Sequence, residues 1–376
     1  MKKKIVIVGH EPLTLYVFKK FYISEFRHAG YIVEYRDISQ LLYPKMKIPD
    51  KIEDEWLFKI SNLQEYINSF NKDNPNEIIY IAELPCIWRN RKLFRVLRQK
   101  KRVVVHLNLY ITIILPLSFW ERFLLYKGKF IKLLISKIEQ FAYKVYQLIY
   151  DFKNYDIEIT SYSELKSNIP VFTINHSDFE HAQSLTDTKP IVSEPYAVFL
   201  DEYFPLHPDF EFYSGIKSTE TEANIYRQKM CKFFDEIENK FKVKVIIAVH
   251  YKSIYNDGVF GNRPLIKYHT CELVKYSKFV LVHSSTSINF AVIFMKPMMI
   301  ISLNVFTKYL DMMNRTEYIS AYFSCPLVNL DNPAYSITEP KIDSQACNNF
   351  LYTYLTSKGK EKMTNSEILN DVFAGL

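Results

Sequence analysis

The sequence predicts an α/β protein of two successive units, each a largely parallel sheet wrapped by helices. Three observations lead there. Short apolar runs alternate with amphipathic stretches of helical period, the pattern of strand–helix–strand crossovers. The pattern restarts after Lys189-Pro190. The length of 376 residues exceeds what one hydrophobic core commonly organises. The expected domains are therefore residues 1–189 and residues 190–376, the second with a helical tail.

In the first unit the apolar run 4–9 reads as a strand, followed by a helix over 13–29 that stops near Gly30. A strand over 31–38, a helix over 56–70, a strand over 78–83, a helix over 89–99 and an extended element over 102–107 follow. The stretch 103–119 is largely apolar, but it carries His106, Asn108 and Pro116 and falls short of the roughly 20 residues of a spanning helix. It reads as a buried strand plus loop. A long helical pattern covers 121–150, and strands are expected over 157–160 and 171–174. In the second unit strands are expected over 196–200, 243–249, 279–282 and 298–302. Helices are expected over 219–241, 270–276 and 287–295, then in the tail over 343–357 and 365–373. Successive units of this kind enclose a cleft, and ligands of open parallel sheets sit beyond the carboxyl ends of the strands.

Composition removes several classes. With 48% apolar and 24% charged residues the chain is globular rather than disordered. A net charge of +7 suits an anionic partner, whether nucleotide, phospholipid surface or acidic glycan. Cys86, Cys231, Cys271, Cys325 and Cys347 show no ligand or CxxC spacing, so buried thiols in a reducing compartment are expected. The start, MKKKIVIVGH, reads as a strand rather than a secretion signal. The expected location is cytoplasmic, with peripheral attachment to the inner face of the membrane as the variant. No GxGxxG, P-loop or strand-flanked DxD occurs, so neither a cofactor nor a metal is expected.

Three strand ends of the second unit carry polar residues directly after apolar runs. Tyr196-Ala-Val-Phe-Leu leads into Asp201-Glu202 and on to His207-Pro-Asp209. Val245-Ile-Ile-Ala-Val leads into His250-Tyr-Lys252. Phe279-Val-Leu-Val-His283 leads into Ser284-Ser285-Thr286-Ser287 and a helix. Hydroxyl residues at a strand-to-helix turn suit a phosphate, through open N–H groups and the helix dipole. An ordinary N-cap needs only one of them. His250 is placed to donate to a phosphate oxygen where charge develops as a nucleotide leaves. Asp201 or Glu202 is the candidate general base, the other reading being a carboxylate that caps a turn. His207 and Asp209 form a second possible base or a loop contact. Lys252 and Arg263 are candidate cations for the nucleotide, Arg263 from a loop holding Gly258 and Gly261; solvated surface positions are the alternative.

These three segments resemble the acidic, His-Pro and Ser-Ser/Thr motifs of bacterial sialyltransferases and of the CMP-Kdo and polysialic acid transferases of capsule and lipooligosaccharide synthesis. Leu200-Asp201-Glu202 is similar to the acidic motif, with Tyr203 where those families carry Gly. His250 falls at the His-Pro position, with Tyr251 in place of Pro, and Ser284-Ser285 matches the hydroxyl motif. The resemblance spans about residues 195 to 300. It implies a GT-B-like fold, two Rossmann-like domains facing across a cleft. The first would be the acceptor side and the second the nucleotide-sugar side. It also implies an inverting, metal-independent glycosyltransferase that moves an acidic sugar from a CMP donor onto a surface polysaccharide or lipooligosaccharide. The acidic residue would then be the base, while His250 and the hydroxyls hold the phosphate. Two other readings stand beside it: a nucleotide-sugar epimerase of GT-B shape, and a non-catalytic binding protein that kept the fold.

The helical pattern over 121–150 mixes Arg122, Lys127, Lys129, Lys132, Lys137 and Lys144 with bulky apolar residues. It reads either as a core helix with a basic edge or as a helix on an anionic membrane surface near a lipid-linked acceptor. No nucleic-acid module is visible, and no nucleic-acid partner is expected.

Overall fold

The computed structural model describes residues 4–44, 51–108, 113, 130–185, 188–309 and 312–376, without the side chains of 130–133 and 212–214. They form two compact units. One comprises the described residues of 4–108, 130–177 and 356–376, the other those of 178–355.

The first unit is built on β1 (Lys4–Gly9), β2 (Ile32–Asp37), β3 (Leu57–Lys59), β4 (Ile78–Glu83), β5 (Val103–Asn108), β6 (Ile157–Thr160) and β7 (Val171–Thr173). They lie in the order β3-β2-β1-β4-β5-β6-β7, every pair parallel. The central strands β1 and β4 are apolar on both faces, Ile5 to Val8 and Ile78 to Ala82 being buried, because helices cover both sides.

The second unit holds β8 (Tyr196–Leu200), β9 (Lys244–Val249), β11 (Leu265–Lys267), β12 (Phe279–Val282), β13 (Met298–Ser302) and β14 (Leu327–Asn329), with β10 (Val259–Asn262) outside the sheet. The order is β11-β9-β8-β12-β13-β14, again parallel throughout. Renumbered within its sheet, this is 3-2-1-4-5-6, the order of the first six strands of unit one and of the dinucleotide-binding Rossmann sheet. The fold is α/β with two parallel Rossmann-like sheets, the make-up of a GT-B-like chain. Helix Glu220–Phe241 covers the second sheet with Ala223, Tyr226, Met230, Phe233, Phe234 and Ile237. A Thr219/Glu222 capping box starts it.

Several elements differ from expectation. The helix expected over 13–29 is two, Leu15–Lys20 and Ile23–His28, broken where Tyr22 turns left-handed at φ 52°. The helix expected over 56–70 begins only at Leu63, since Leu57–Lys59 is edge strand β3. Helices Pro208–Ser214 and Met312–Tyr322 and strands β11 and β14 were not foreseen. The contact boundary falls at Ser177/Asp178 rather than at 189/190, and the last 21 residues rejoin the first unit. Asn175 explains the return. Its side chain donates to the Lys360 and Met363 carbonyls at 3.0 and 2.9 Å and accepts from Thr356 at 2.6 Å. Its backbone exchanges two bonds with the Asn365 amide. Phe373 then stacks on Phe26, centroids 5.1 Å apart. Of the helix expected over 121–150, Phe130–Ile149 is described, and 121–129 lies outside the described residues, as does most of 109–119. No helix among the described residues is long and apolar enough to cross a membrane.

Candidate functional site

In a sheet of order 3-2-1-4-5-6 the connections leave in opposite directions on either side of strands 1 and 4, which opens a crevice beyond their carboxyl ends. In the second unit those strands are β8 and β12, and the residues that follow them are Asp201-Glu202 and His283-Ser284. The neighbouring β9 ends at His250. The structure therefore brings together Asp201, Glu202, His250 and Ser284.

Asp201 is a fastener. Its carboxylate accepts from the Tyr203 N–H at 3.1 Å, from the His250 N–H at 3.4 Å, and from the Tyr255 hydroxyl, 3.1 Å from both oxygens. It is 4% exposed, and burial raises its pKa to about 6 against those bonds and the charge of Arg227. Tyr203, whose N–H it holds, is left-handed at φ 53°. This is the conformation for which Gly is suited, so the Gly expected by resemblance has a backbone reason, and Tyr203 carries the strain of about 1–2 kcal/mol itself.

Glu202 crosses the crevice. It accepts from the Ser284 N–H at 2.6 Å and from the Ser284 hydroxyl at 3.3 Å. Burial raises its pKa to about 7; the Ser284 bonds and, further off, Arg315 oppose the rise, and Asp201 adds to it. Ser285 accepts from the Ser287 N–H at 3.3 Å, which leaves its own O–H to donate. Thr286 is exposed, and Ser287 begins a helix, Ile288–Ile293, of only six residues. Its dipole is correspondingly small, and the anion seated on the Ser284 N–H is Glu202.

His250 is neutral. Its Nδ1 accepts the Lys252 N–H at 3.2 Å, which puts the ring proton on Nε2, where it can only be donated. Burial, then His207, Lys252 and Lys267, lower its pKa to about 2. His207 repeats the motif one loop away. Its Nδ1 accepts the Asp209 N–H at 3.2 Å, and burial lowers its pKa to about 4 despite Asp209. The two imidazoles meet edge to face, centroids 4.7 Å apart. The residue that follows each by two closes the pair, Lys252 Nζ reaching Asp209 at 3.2 Å.

Lys252 is 8% exposed and bound to Asp209, not a solvated cation. Arg263 stands apart from the strand ends. Its guanidinium grips Glu238 at 2.6 Å and Asp235 at 2.5 Å on helix Glu220–Phe241 and packs on Phe234. His283, fully buried, is structural: it donates from Nδ1 to the Ile301 carbonyl at 2.8 Å and accepts the Tyr226 hydroxyl at 2.8 Å.

The first unit has its own crevice beyond β1 and β4, which sequence reasoning missed. His10 donates from Nδ1 to the Glu83 carbonyl at 2.7 Å, the opposite role of the Nδ1 atom in His250. Lys20, 6% exposed, holds the Glu83 carboxylate at 2.5 Å. Gly9 is obligatory, because a Cβ there would lie 1.9 Å from the Tyr35 hydroxyl. Polar residues at 9–11 after an apolar run were the available signal. Among the described residues no cluster of three or more His, Cys, Asp or Glu is arranged to hold a metal ion.

No protein-family model matches the chain, and no curated protein matches it. Solved structures do. A putative UDP-N-acetylglucosamine 2-epimerase from Listeria monocytogenes aligns at TM-score 0.47 and 9% identity over 100% of this chain and 96% of its own. The glycosyltransferase SnogD from Streptomyces nogalater aligns at 0.46 and 10%, over 100% and 99%. The S. aureus protein MnaA, solved with UDP, aligns at 0.46 and 12%, over 99% and 96%.

Proposed function

We propose that the chain is a metal-independent, inverting glycosyltransferase that moves an acidic sugar from a CMP donor to a hydroxyl of a surface polysaccharide or lipooligosaccharide. The observation that carries this reading is the tautomer of His250. A neutral ring with its proton on Nε2 is a fixed donor, suited to a phosphate oxygen that gains charge as the nucleotide departs. In this reading the acceptor oxygen bonds to the anomeric carbon while the bond from that carbon to the phosphate oxygen breaks. The hydroxyl proton passes to Glu202, and CMP leaves with the bonding electrons, held by His250 and the free O–H of Ser285. Glu202 is the better base, because its pKa near 7 suits proton transfer at neutral pH and, among the described residues, Ser284 alone hydrogen-bonds it. Asp201, committed to three partners, positions the ends of β8 and β9. Lys252 and Arg263 leave the list of nucleotide ligands, Lys252 keeping a part in aligning His250.

The first test is thermal unfolding with CMP, UDP and GDP. A ligand at 100 times its dissociation constant adds about 2.7 kcal/mol of stability, a shift of several degrees. CMP alone should produce it. A preference for UDP or GDP overturns the donor, and no shift with any of them overturns nucleotide binding. Incubation with the donor alone should leave its sugar unchanged, whereas a changed sugar would make the chain an epimerase.

A further inference from the structure

Among its described side chains, helix Phe130–Ile149 packs on the first unit through its second half. Tyr143 is buried, and Tyr146 stands edge-on to Trp88 with centroids 6.0 Å apart. From Leu134 to Phe141 every residue is exposed, whichever way it faces. Apolar residues are not spared: Ile138 is 59% exposed, Phe141 71% and Leu148 81%. With Leu134 and Val145 they recur at steps of four and three, one continuous stripe along the helix. A helix on a globular domain turns such a stripe toward its core. Here it faces outward.

The stripe has a charged neighbour. Residues 88–102 contain eight Lys or Arg and no acid. Arg98 is bound to Asp156, and Arg102 is buried against backbone carbonyls. Arg91, Lys92 and Arg95 remain on helix Arg91–Leu97, which lies beside the stripe, Arg95 resting 3.8 Å from the Tyr150 ring and Arg91 5.9 Å from Tyr146. Lys137 and Lys144 add exposed cations along the long helix itself.

We propose that this face of the first unit docks on an anionic lipid surface, the stripe entering the headgroup boundary and the flanking cations meeting lipid phosphates. Charge selects this occupant. A second copy would bring the same cations against their equals, and a nucleic acid would leave the stripe in water. The inference draws nothing from the nucleotide reading and stands or falls separately.

Co-sedimentation of the full chain with vesicles decides it. Binding is expected to vesicles of phosphatidylglycerol mixed with phosphatidylcholine, to fall at least tenfold with phosphatidylcholine alone, and to weaken as salt rises. The double variant I138S/F141S, changed only at exposed positions, should bind at least tenfold more weakly with an unchanged melting temperature. The variant K92E/K137E should lose the preference for anionic lipid. Absence of binding by the unaltered chain, or undiminished binding by I138S/F141S, overturns the proposal. So does light scattering that shows a dimer which I138S/F141S dissolves, because the stripe would then belong to a second copy.

Discussion

At the scale of single residues, proton position separates three histidines that composition treats alike. His250 receives a backbone N–H on Nδ1, so Nε2 donates; His10 gives an Nδ1 proton to a carbonyl; His283 is satisfied at both nitrogens. The first case yields a sharp substitution. In His250→Asn the side-chain carbonyl can still accept the Lys252 N–H, but nothing stands where Nε2–H stood. Stability should change by less than about 1 kcal/mol while turnover falls by about 10²–10³, the usual loss when one transition-state donor is removed. Measured kcat with a melting curve checks this, and unchanged kcat would show that His250 only shapes its loop. Glu202 is tested through its titration. As a base it must be ionised, so kcat/KM should climb with pH and level off above about 7, the value to which burial raises it. Glu202→Gln should abolish that limb and cost about 10²–10⁴ in rate with nucleotide binding kept. A pH profile that is flat in the unaltered chain between 5.5 and 8 would remove Glu202 from the role.

At the scale of elements, the cations show how tertiary partners overrule a local pattern. Arg263 follows a loop with two glycines, which suggested approach to a ligand, yet Glu238 and Asp235 on the long helix hold it. Glu238 also accepts the Val245 N–H at 2.9 Å, tying the helix to the start of β9. Arg263→Ala should therefore destabilise the second unit by about 2 kcal/mol, as when a bidentate, largely covered ion pair loses one member. The nucleotide-induced shift should survive. Urea unfolding with and without CMP measures both, and loss of the CMP shift at unchanged stability would restore Arg263 to the site. The same contrast explains what was legible beforehand. Strands β1, β4, β8, β9, β12 and β13 were readable because both faces are buried and their apolar runs are unbroken. Polar residues at the ends of β8, β9 and β12 then stood out, which is why Asp201, Glu202, His250 and Ser284 could be singled out as candidates. Edge strand β3 was missed because Phe58 and Lys59 are exposed, and the break at Tyr22 carries no glycine to announce it. Tyr255 and the Asp209–Lys252 pair were invisible because each depends on a partner more than 40 residues away.

At the scale of the whole molecule, buried titratable groups collect in the second unit and pull its stability in opposite directions. Asp201 and Glu202 have raised folded-state values, about 6 and 7, so the folded state keeps protons that the unfolded chain has lost, and stability falls as pH rises toward those values. His207, His250 and His283 have lowered values, about 4, 2 and 4, so the unfolded chain takes up protons that the folded one refuses. Their contribution is complete above about 6.5 and is lost as pH falls toward the folded values. Near pH 5 three rings outnumber two carboxylates, and unfolding takes up about one net proton, worth about 1.4 kcal/mol per pH unit. The second unit should accordingly be less stable at pH 5 than at pH 6. The sequence supplies a way to see this unit by unit, since of its three tryptophans Trp56 and Trp88, the two among the described residues, both belong to the first. With Trp120 replaced by Phe, urea unfolding followed by tryptophan fluorescence reports the first unit, and far-ultraviolet circular dichroism reports both. Acidification from pH 6 to 5 should lower the midpoint of the dichroism component that fluorescence does not see. If that component instead gains stability, the carboxylates dominate, and the three imidazoles are not held neutral by burial as their bonding requires.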